Sequence, residues 1–257
     1  MSLRVGIAGA TGRMGRLLIE EARAAGMTVA GGIARPSSGP FPEGVPRLDE
    51  IGALARVADL VIDFTHAKTA QTHARAIAAA KTGWILGTSG LTPADETAVA
   101  EAARHIPVVY AANFSPGVTL VLALAERMGA ALPADAYDAE IVEMHHRQKV
   151  DAPSGTAIGI GRAVAKGRGI ALEDAMEAGR HGQTGARRTG AIGFASLRGG
   201  QVVGEHTLIL AAADEQIALT HRAFARRSFA AGAIRAARWA AGRKAGLYGM
   251  GDVLGLG

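Results

Sequence analysis

The sequence predicts an α/β fold with a doubly wound parallel sheet at the N-terminus and an α+β domain with a mixed sheet after it. Three observations predict it. Strand and helix patterns alternate over the first hundred residues, the alternation stops after about residue 113, and an Ala-rich helix lies near the end. Alternating strands and helices are typical of βαβ units with parallel strands. We therefore expect a domain formed by 1–113 with 228–257, and a second domain at 114–227.

Each strand predicted for the first domain is a short apolar run, and amphipathic or Ala-rich segments separate the runs. The first run, Leu3 to Ala8, is closed by a glycine, and the first helix ends at Gly26. Glycine is the residue that most often terminates a helix. The predicted strands are 3–8, 27–33, 59–64, 84–86 and 107–111, and the predicted helices are 13–25, 68–80 and 93–104.

The second domain has a different pattern. Residues 137–144 alternate polar and apolar side chains, as a strand with one buried face does. Similar runs follow after a predicted helix, so we expect a mixed sheet with helices on one face. The predicted strands are 137–144, 191–197, 202–210 and 217–221, and the predicted helices are 118–128, 156–166 and, packing back on the first domain, 228–241.

Composition excludes several classes of protein. The chain has 257 residues and no cysteine, which excludes disulfides, thiolate catalysis and Cys-ligated metal sites. Its net charge of +5 is modest, and its two Trp, three Tyr and six Phe do not interleave with Lys or Arg. Nucleic acid is therefore a poor candidate partner, and small anions are better ones. No run approaches the roughly 18 apolar residues of a membrane span, and no signal peptide precedes the first strand, so we expect a cytoplasmic protein without membrane contact.

A glycine-rich turn follows the first predicted strand, with Gly9, Gly12 and Gly15 spaced G-x-x-G-x-x-G. Glycine lets the backbone turn sharply and approach a pyrophosphate, while the next helix presents its first N–H groups. Thr11 stands where the common dinucleotide fingerprint has its second glycine, and ordinary tight turns also use glycine. At the first strand-to-helix junction, the motif favours a dinucleotide site on a Rossmann-like fold.

The end of the second strand bears on the choice of cofactor. An NAD site usually has an Asp or Glu there for the ribose 2′-hydroxyl. Here Ile33 is followed by Ala34 and Arg35. A guanidinium can pair with a 2′-phosphate that a carboxylate would repel. The pattern favours NADPH over NADH, with Ser37 and Ser38 assisting, and a surface arginine with relaxed cofactor choice is the alternative.

Polar motifs also follow three later strands. Doubly wound sheets bind ligands at the carboxyl ends of their strands. Each motif alone is typical of a turn. Three such motifs at the carboxyl edge of one sheet, which we call the rim, predict a ligand site. They are Asp63-Phe64-Thr65, Gly87-Thr88-Ser89-Gly90 and Ala112-Asn113-Phe114-Ser115.

The densest polar cluster begins where a strand of the second domain ends in His145 and His146, followed by Arg147 and Lys149. Histidine titrates near neutral pH and suits proton donation, and Lys149 adds a second donor or a cation for a carboxylate. These groups would repel one another without an anion among them, so the cluster favours a dianion site. A metal site is not expected, because adjacent strand residues point to opposite faces and no third nearby histidine completes a ligand set.

The next helix begins with Ser154, Gly155 and Thr156. Ser154 is a natural N-cap, and the N–H groups near Gly155 and Thr156 can hold a carboxylate. The helix start therefore belongs to the same predicted dianion site.

These motifs resemble those of the 4-hydroxy-tetrahydrodipicolinate (dihydrodipicolinate) reductase family of lysine and diaminopimelate synthesis, over nearly the whole chain. The specific part is 145–157 (HHRQKVDAPSGTA), with further matches at 192–198, 204–207, 246–248 and 252–254. The resemblance implies hydride transfer from NAD(P)H to C4 of a cyclic imine dicarboxylate, with loss of the 4-hydroxyl as water. It also implies a homotetramer built through the C-terminal domain.

The resemblance implies roles for single residues as well. His145 and Lys149 would donate protons, and His146, Gly155 and Thr156 would bind the substrate carboxylates, next to the N-cap Ser154. Ala34 departs from family members that use NADH well, which often have an acid there, whereas Arg35 matches a 2′-phosphate contact. The residues expected at the cofactor are Gly9, Ala10, Thr11, Gly12, Arg13, Met14, Arg35, Gly87, Thr88, Ser89, Ala112, Asn113, Phe114 and Ser115.

The sequence leaves two alternative functions. A catalytically silent dinucleotide sensor would keep the glycine turn but would need no proton donors such as His145 and Lys149. A Rossmann reductase for another dicarboxylate would share the turn, but would make the basic cluster before Pro153 a coincidence.

Overall fold

The computed structural model describes residues 2–35 and 39–256, and these form two compact units. Unit 1 comprises 1–116 with 227–257, and unit 2 comprises 117–226. The sequence placed the corresponding boundaries at 113/114 and 227/228. In the described ranges, no helix has both the length and the apolarity that crossing a bilayer requires.

Unit 1 is built on a six-stranded parallel sheet in the order β11-β5-β4-β3-β1-β2. Apolar side chains from both faces are buried under helices, as expected of a doubly wound sheet. Numbered in chain order, the strands are β1 (Arg4–Ala8), β2 (Thr28–Ile33), β3 (Leu60–Asp63), β4 (Gly83–Leu86), β5 (Pro107–Tyr110) and β11 (Gly246–Tyr248). The helices are α1 (Arg13–Ala24), α2 (Ile51–Val57), α3 (Ala70–Ala79), α4 (Pro93–Ala103), α8 (Arg227–Ala240) and α9 (Met250–Leu254), with a 3₁₀ turn at Ala67–Thr69.

Local sequence explains where these elements begin. Thr92 caps α4: its hydroxyl accepts from the Asp95 N–H, the Asp95 carboxylate accepts from the Thr92 N–H, and Pro93 opens the helix. Helix α8 packs very close to the loop that follows β5, since a Cβ at Gly232 would lie 1.8 Å from the Phe114 carbonyl oxygen.

Unit 2 is a five-stranded mixed sheet in the order β10-β9-β6-β8-β7. Strands β6, β8 and β7 run parallel, whereas β9 is antiparallel to both β6 and β10. The buried core lies between one face of this sheet and the helices. The elements are α5 (Pro116–Ala131), β6 (Asp138–His145), α6 (Gly155–Gly167), α7 (Leu172–Ala175), β7 (Met176–Ala178), β8 (Ile192–Arg198), β9 (Gly204–Ala211) and β10 (Gln216–Ala223).

The structure confirms the predicted fold class and corrects some elements. Helix α2 lies between the strands predicted at 27–33 and 59–64, where the sequence predicted no element, and the helix predicted at 68–80 begins only at Ala70, after a 3₁₀ turn. The C-terminal segment adds β11 to the sheet, and α7 and β7 were also missed. These elements are three to seven residues long, too short for a periodic pattern to identify.

Candidate active site

The glycine-rich turn joins β1 to α1 in unit 1. Gly9 has φ +85°, and the N–H groups of Gly9 and Ala10 both donate to the Ile33 carbonyl at 3.0 Å, which ties the turn to the end of β2. A Cβ at Gly15 would lie 2.1 Å from the Gly9 carbonyl oxygen, so the helix can pack this close to the turn only with glycine there. Glycine is therefore required at position 9 by the backbone conformation and at position 15 by the close packing of the helix on the turn.

The start of α1 is open to an anion. Its N-cap is Gly12, in an extended conformation, and a glycine has no side chain that could accept from the first N–H groups of the helix. Arg13 is exposed beside it, and Thr11 and Met14 are half-buried. The uncapped N-terminus and the tight turn fit the pyrophosphate of a dinucleotide.

Ala34 and Arg35 follow β2, whose last carbonyl holds the glycine turn. Ala34 is half-buried and Arg35 is exposed, so the chain presents a guanidinium and no carboxylate just past the strand end. Ser37 and Ser38, suggested as assisting residues, lie outside the described residues.

The other predicted cofactor segments follow β3, β4 and β5, and the parallel sheet brings them to the same edge as the turn. The Gly87 N–H donates to the Asp63 carbonyl at 2.9 Å, and a Cβ at Gly87 would lie 2.3 Å from the Phe64 ring. Phe64 and Phe114 pack with ring centroids 5.5 Å apart. Ser115 is buried, Asn113 is half-buried, and Ser89 and Ala112 are exposed on this rim.

Thr88 is an unusual member of that rim. Its side chain is buried, yet its hydroxyl has no hydrogen-bond partner within the described residues. A buried hydroxyl without a partner costs about 1–3 kcal/mol, which a bound polar ligand would recover.

Sequence reasoning singled out Asp63 but missed its partner. One Asp63 carboxylate oxygen accepts from the Thr65 N–H and hydroxyl at 3.0 and 2.6 Å, and the other lies 2.6 Å from His73 Nδ1. Both Asp63 and His73 are buried. This pair fixes the loop after β3 at the edge where the predicted cofactor segments meet.

The polar cluster of unit 2 begins on β6, which brings Glu143 and His145 to the same face of the strand. His145 is 9% exposed, and its Nδ1 lies 2.5 Å from Glu143 Oε2. Burial lowers the pKa of His145 below its ordinary value, and Lys149 and Arg198 act in the same direction. The hydrogen bond to Glu143 and its charge oppose this shift.

Glu143 connects three parts of unit 2. Arg198, at the end of β8, donates to its two carboxylate oxygens at 2.8 and 2.9 Å, and the Ser154 N–H donates at 3.2 Å. Burial alone would raise the pKa of Glu143, but the hydrogen bonds from Arg198 and His145 prevail and lower it. The carboxylate is therefore ionised at neutral pH although the residue is only 1% exposed.

His206, on β9, lies beside His145 with ring centroids 5.1 Å apart in an edge-to-face arrangement. Its Nε2 is 3.0 Å from the Ser154 hydroxyl. Burial lowers the pKa of His206 to about 4, and positive charge on His145 acts in the same sense. His206 is therefore a neutral ring near pH 7.

The loop after β6 carries the remaining predicted residues. The Lys149 ammonium lies 2.8 Å from both carboxylate oxygens of Asp151, and Arg147 is exposed. His146 is half-buried, with its Nδ1 buried and unpaired among the described residues. Glu143 and Asp151 lie in this cluster and offset part of its positive charge, so the repulsion between its basic groups does not by itself require a bound anion, and the dianion site stays a prediction.

Helix α6 begins at the same place. The Ser154 hydroxyl caps it by accepting from the Ala157 N–H at 3.2 Å. Gly155 is exposed, Thr156 is half-buried, and a Cβ at Gly155 would meet nothing within 4 Å. There is thus open space on the side-chain side of Gly155, and the N-terminus of a helix suits a carboxylate.

Sequence reasoning assigned no role to Glu143, Arg198 or His206. Strand alternation was one available signal, because residues two apart on β6 share a face. Arg198 and His206 join the site through the register of β6 with β8 and β9, which pairs His145 with Arg198 and Glu143 with His206. No pattern within one segment reveals that pairing.

The parallel sheet with its glycine turn, and the histidine–lysine cluster in the second unit of the same chain, define a Rossmann-type oxidoreductase. The chain belongs to the dihydrodipicolinate reductase family: residues 3–114 match the family's N-terminal part and residues 117–254 its C-terminal part.

Relatives named 4-hydroxy-tetrahydrodipicolinate reductase are similar over almost their full length. The one from Granulibacter bethesdensis is 66% identical over 99% of this chain and 98% of its own, and the one from Acidiphilium cryptum is 59% identical over the same shares.

Solved structures agree on the fold. A dipicolinate-bound dihydrodipicolinate reductase from Paenisporosarcina sp. TG-14 superposes with a TM-score of 0.82 at 24% identity, covering 98% of this chain and 99% of that one. GenD2 from gentamicin A biosynthesis, solved with NAD, has a TM-score of 0.59 at 15% identity, covering 93% of this chain and 86% of that one. At these identities the likeness concerns the fold.

Proposed function

We propose that the protein reduces 4-hydroxy-tetrahydrodipicolinate to tetrahydrodipicolinate with loss of water, in lysine and diaminopimelate biosynthesis. The single observation that carries the proposal is the unit 2 cluster, where His145 and Lys149 lie near the N-terminus of α6. Proton donors next to a carboxylate-binding helix start are what reduction of an imine dicarboxylate requires. The names of the relatives and the dipicolinate bound to the Paenisporosarcina enzyme agree with this substrate class.

The cofactor is a nicotinamide dinucleotide, held at the glycine turn of unit 1. When bound, it supplies the hydride that C4 receives once the 4-hydroxyl has left as water. The turn from Gly9 to Met14 holds the pyrophosphate, and the buried, unpaired Thr88 hydroxyl is available to a polar group of the same ligand. Arg35 pairs with a 2′-phosphate, which favours NADPH over NADH.

Residues of unit 2 bind the substrate and supply protons. The N–H groups of Gly155 and Thr156 and the side chains of His146 and Ser154 hold its carboxylates. His145 and Lys149 donate the protons. One proton goes to the leaving 4-hydroxyl while a ring carbon next to C4 loses a proton, and one returns to that carbon when C4 receives the hydride, so the reaction consumes one proton overall. Because Asp151 holds the Lys149 ammonium, a substrate carboxylate competes with Asp151 for that cation.

A homotetramer built through unit 2 is part of the proposal. The helices of unit 2 pack on one face of its sheet, and apolar side chains alternate onto the other face. Leu197 is 50% exposed there, on the same side as Val142, Met144 and Ile209. Sedimentation should give a tetramer that Leu197→Glu dissociates, and a monomeric wild type would refute this part.

A cytoplasmic location remains a prediction of the sequence.

The test is substrate-dependent oxidation of NADPH and NADH, with the substrate made in situ by the upstream synthase from pyruvate and aspartate semialdehyde. We expect oxidation to require the synthase and both of its substrates. Faster oxidation of NADPH supports the role of Arg35, and equal rates remove only that part of the proposal. No oxidation of either cofactor would refute the proposed function.

A further inference from the structure

The carboxylate of Glu143 joins strands β6 and β8 and the start of helix α6 in unit 2. It accepts from Arg198 through both oxygens, from the backbone of Ser154, and from the His145 ring, while it is almost completely buried. The proton donor and the start of the carboxylate-binding helix are thus held by one side chain. Such convergence is unnecessary for the fold, because replacing a whole buried group of this kind with well-packed apolar side chains is often neutral for stability.

The contact to His145 decides which ring nitrogen can act. An ionised carboxylate only accepts hydrogen bonds, so His145 Nδ1, 2.5 Å from Glu143 Oε2, carries a proton. In the neutral ring the lone pair is therefore on Nε2. That atom faces Gly204 of β9, where a Cβ would lie only 3.0 Å away. The absence of a side chain at position 204 leaves Nε2 uncrowded.

We propose that Glu143, held by Arg198, is a positioning residue that fixes His145 with Nδ1 protonated, so that Nε2 is the atom that transfers the proton. The inference rests on the proposed function. In the donating form both nitrogens carry protons, and transfer of the Nε2 proton leaves a neutral ring whose remaining proton stays on Nδ1. The carboxylate stabilises the charged form, and the ring orientation is the same before and after transfer.

The charges around His145 define what removal of Glu143 does. Glu143 on β6 favours the charged ring, whereas Lys149 on the loop and Arg198 on β8 disfavour it. His206 on β9 is neutral near pH 7, and Asp151 pairs with Lys149. Glu143→Gln removes the carboxylate that contacts the ring, so the pKa of His145 falls. As the pH rises, the fraction of enzyme with a protonated His145 therefore begins to decline at a lower pH than in the wild type.

The first test is ¹⁵N NMR of histidine side chains in the full-length wild-type enzyme without substrate. His145, assigned by comparison with His145→Gln, should show a protonated Nδ1 and an unprotonated Nε2 at pH 8. A ring protonated on Nε2 alone would overturn the proposal. This measurement does not depend on the reaction, so it decides the inference even if the proposed function fails.

The second test is the pH dependence of kcat for Glu143→Gln. We expect the alkaline limb of the profile to move to lower pH by about 1 unit or more, and the deficit in kcat to shrink as the pH is lowered. A loss that is the same at every pH would mark Glu143 as merely structural and overturn the proposal.

Glu140→Gln is the matched control. Glu140 lies three residues earlier on β6, on the other face. Like Glu143 it is bound by arginine side chains, in its case those of Arg180 and Arg187. Its replacement should leave the position of the alkaline limb unchanged. An equal shift in both variants would show that the effect is not specific to the His145 contact.

Discussion

The Lys149 ammonium lies 2.8 Å from both carboxylate oxygens of Asp151, so the second proposed proton donor is already paired within its own loop. The Lys149 side chain is 19% exposed and that of Asp151 56% exposed. The pair is accessible to solvent on the Asp151 side, and it holds the ammonium in one position.

Asp151→Asn should strengthen substrate binding. The variant frees Lys149 to pair with a substrate carboxylate, and a partly exposed ion pair is worth about 0.2–1 kcal/mol. We expect KM for the dicarboxylate to fall by about 1.5- to 5-fold, measured by steady-state kinetics. A KM that rises would mean that Asp151 positions Lys149 for binding rather than competing for it.

His145→Gln should lower kcat by about 10²–10⁴-fold, the usual contribution of a general acid, with the fold retained. His105→Gln is the control, since His105 lies at an exposed site just after α4, where its ring is near the Glu101 carboxylate. Circular dichroism should be the same for both variants and the wild type. An unchanged kcat in His145→Gln would remove the assignment.

The sequence predicted the parallel sheet and its rim correctly because those features are local. A strand that ends in a glycine turn places Gly9 at a sheet edge whatever the rest of the chain does, and the same holds for Gly87 and Asn113 at later strand ends. Each of these positions follows from one strand and the turn after it.

The network around Glu143 could not be predicted in the same way. It forms because β8 pairs with β6 in parallel orientation and β9 pairs with β6 in antiparallel orientation. This pairing brings Arg198 and His206, each more than fifty residues away in the sequence, to Glu143. Only the contact between Glu143 and His145 is encoded locally. The ion pair between Lys149 and Asp151 is also local, since the two residues lie two positions apart in the sequence.

Arg35→Ala should weaken NADPH binding more than NADH binding, by about 1–3 kcal/mol, if the guanidinium holds the 2′-phosphate through charge-assisted hydrogen bonds. Titration of each cofactor against the protein without substrate would measure this. Arg56→Ala, at an exposed position of α2, is the control for loss of positive charge. Equal losses for both cofactors in Arg35→Ala would refute the 2′-phosphate contact.

Gly15→Ala should destabilise unit 1 and impair cofactor binding together. The added Cβ would lie 2.1 Å from the Gly9 carbonyl oxygen, so α1 must move away from the turn, at a cost of about 1–3 kcal/mol. Gly251→Ala is the matched control, because Gly251 is also helical and a Cβ there meets nothing within 4 Å. Thermal unfolding should separate the two variants, and similar melting temperatures would contradict the close approach of α1.

The buried His206 predicts a loss of stability in acid. Its pKa of about 4 in the folded protein lies below the ordinary value of 6.5, so protons bind preferentially to the unfolded chain. The stabilisation is complete above about pH 6.5 and declines as the pH falls towards 4, by up to about 3 kcal/mol for this one group. Urea unfolding at pH 7 and pH 4.5 would measure the decline.

His206→Gln should be less stable at pH 7 but should lose less stability between the two pH values, since the variant has no ring to protonate. If wild type and variant lose the same amount, the acid sensitivity arises elsewhere, and His145, whose pKa burial also lowers, is the next group to replace.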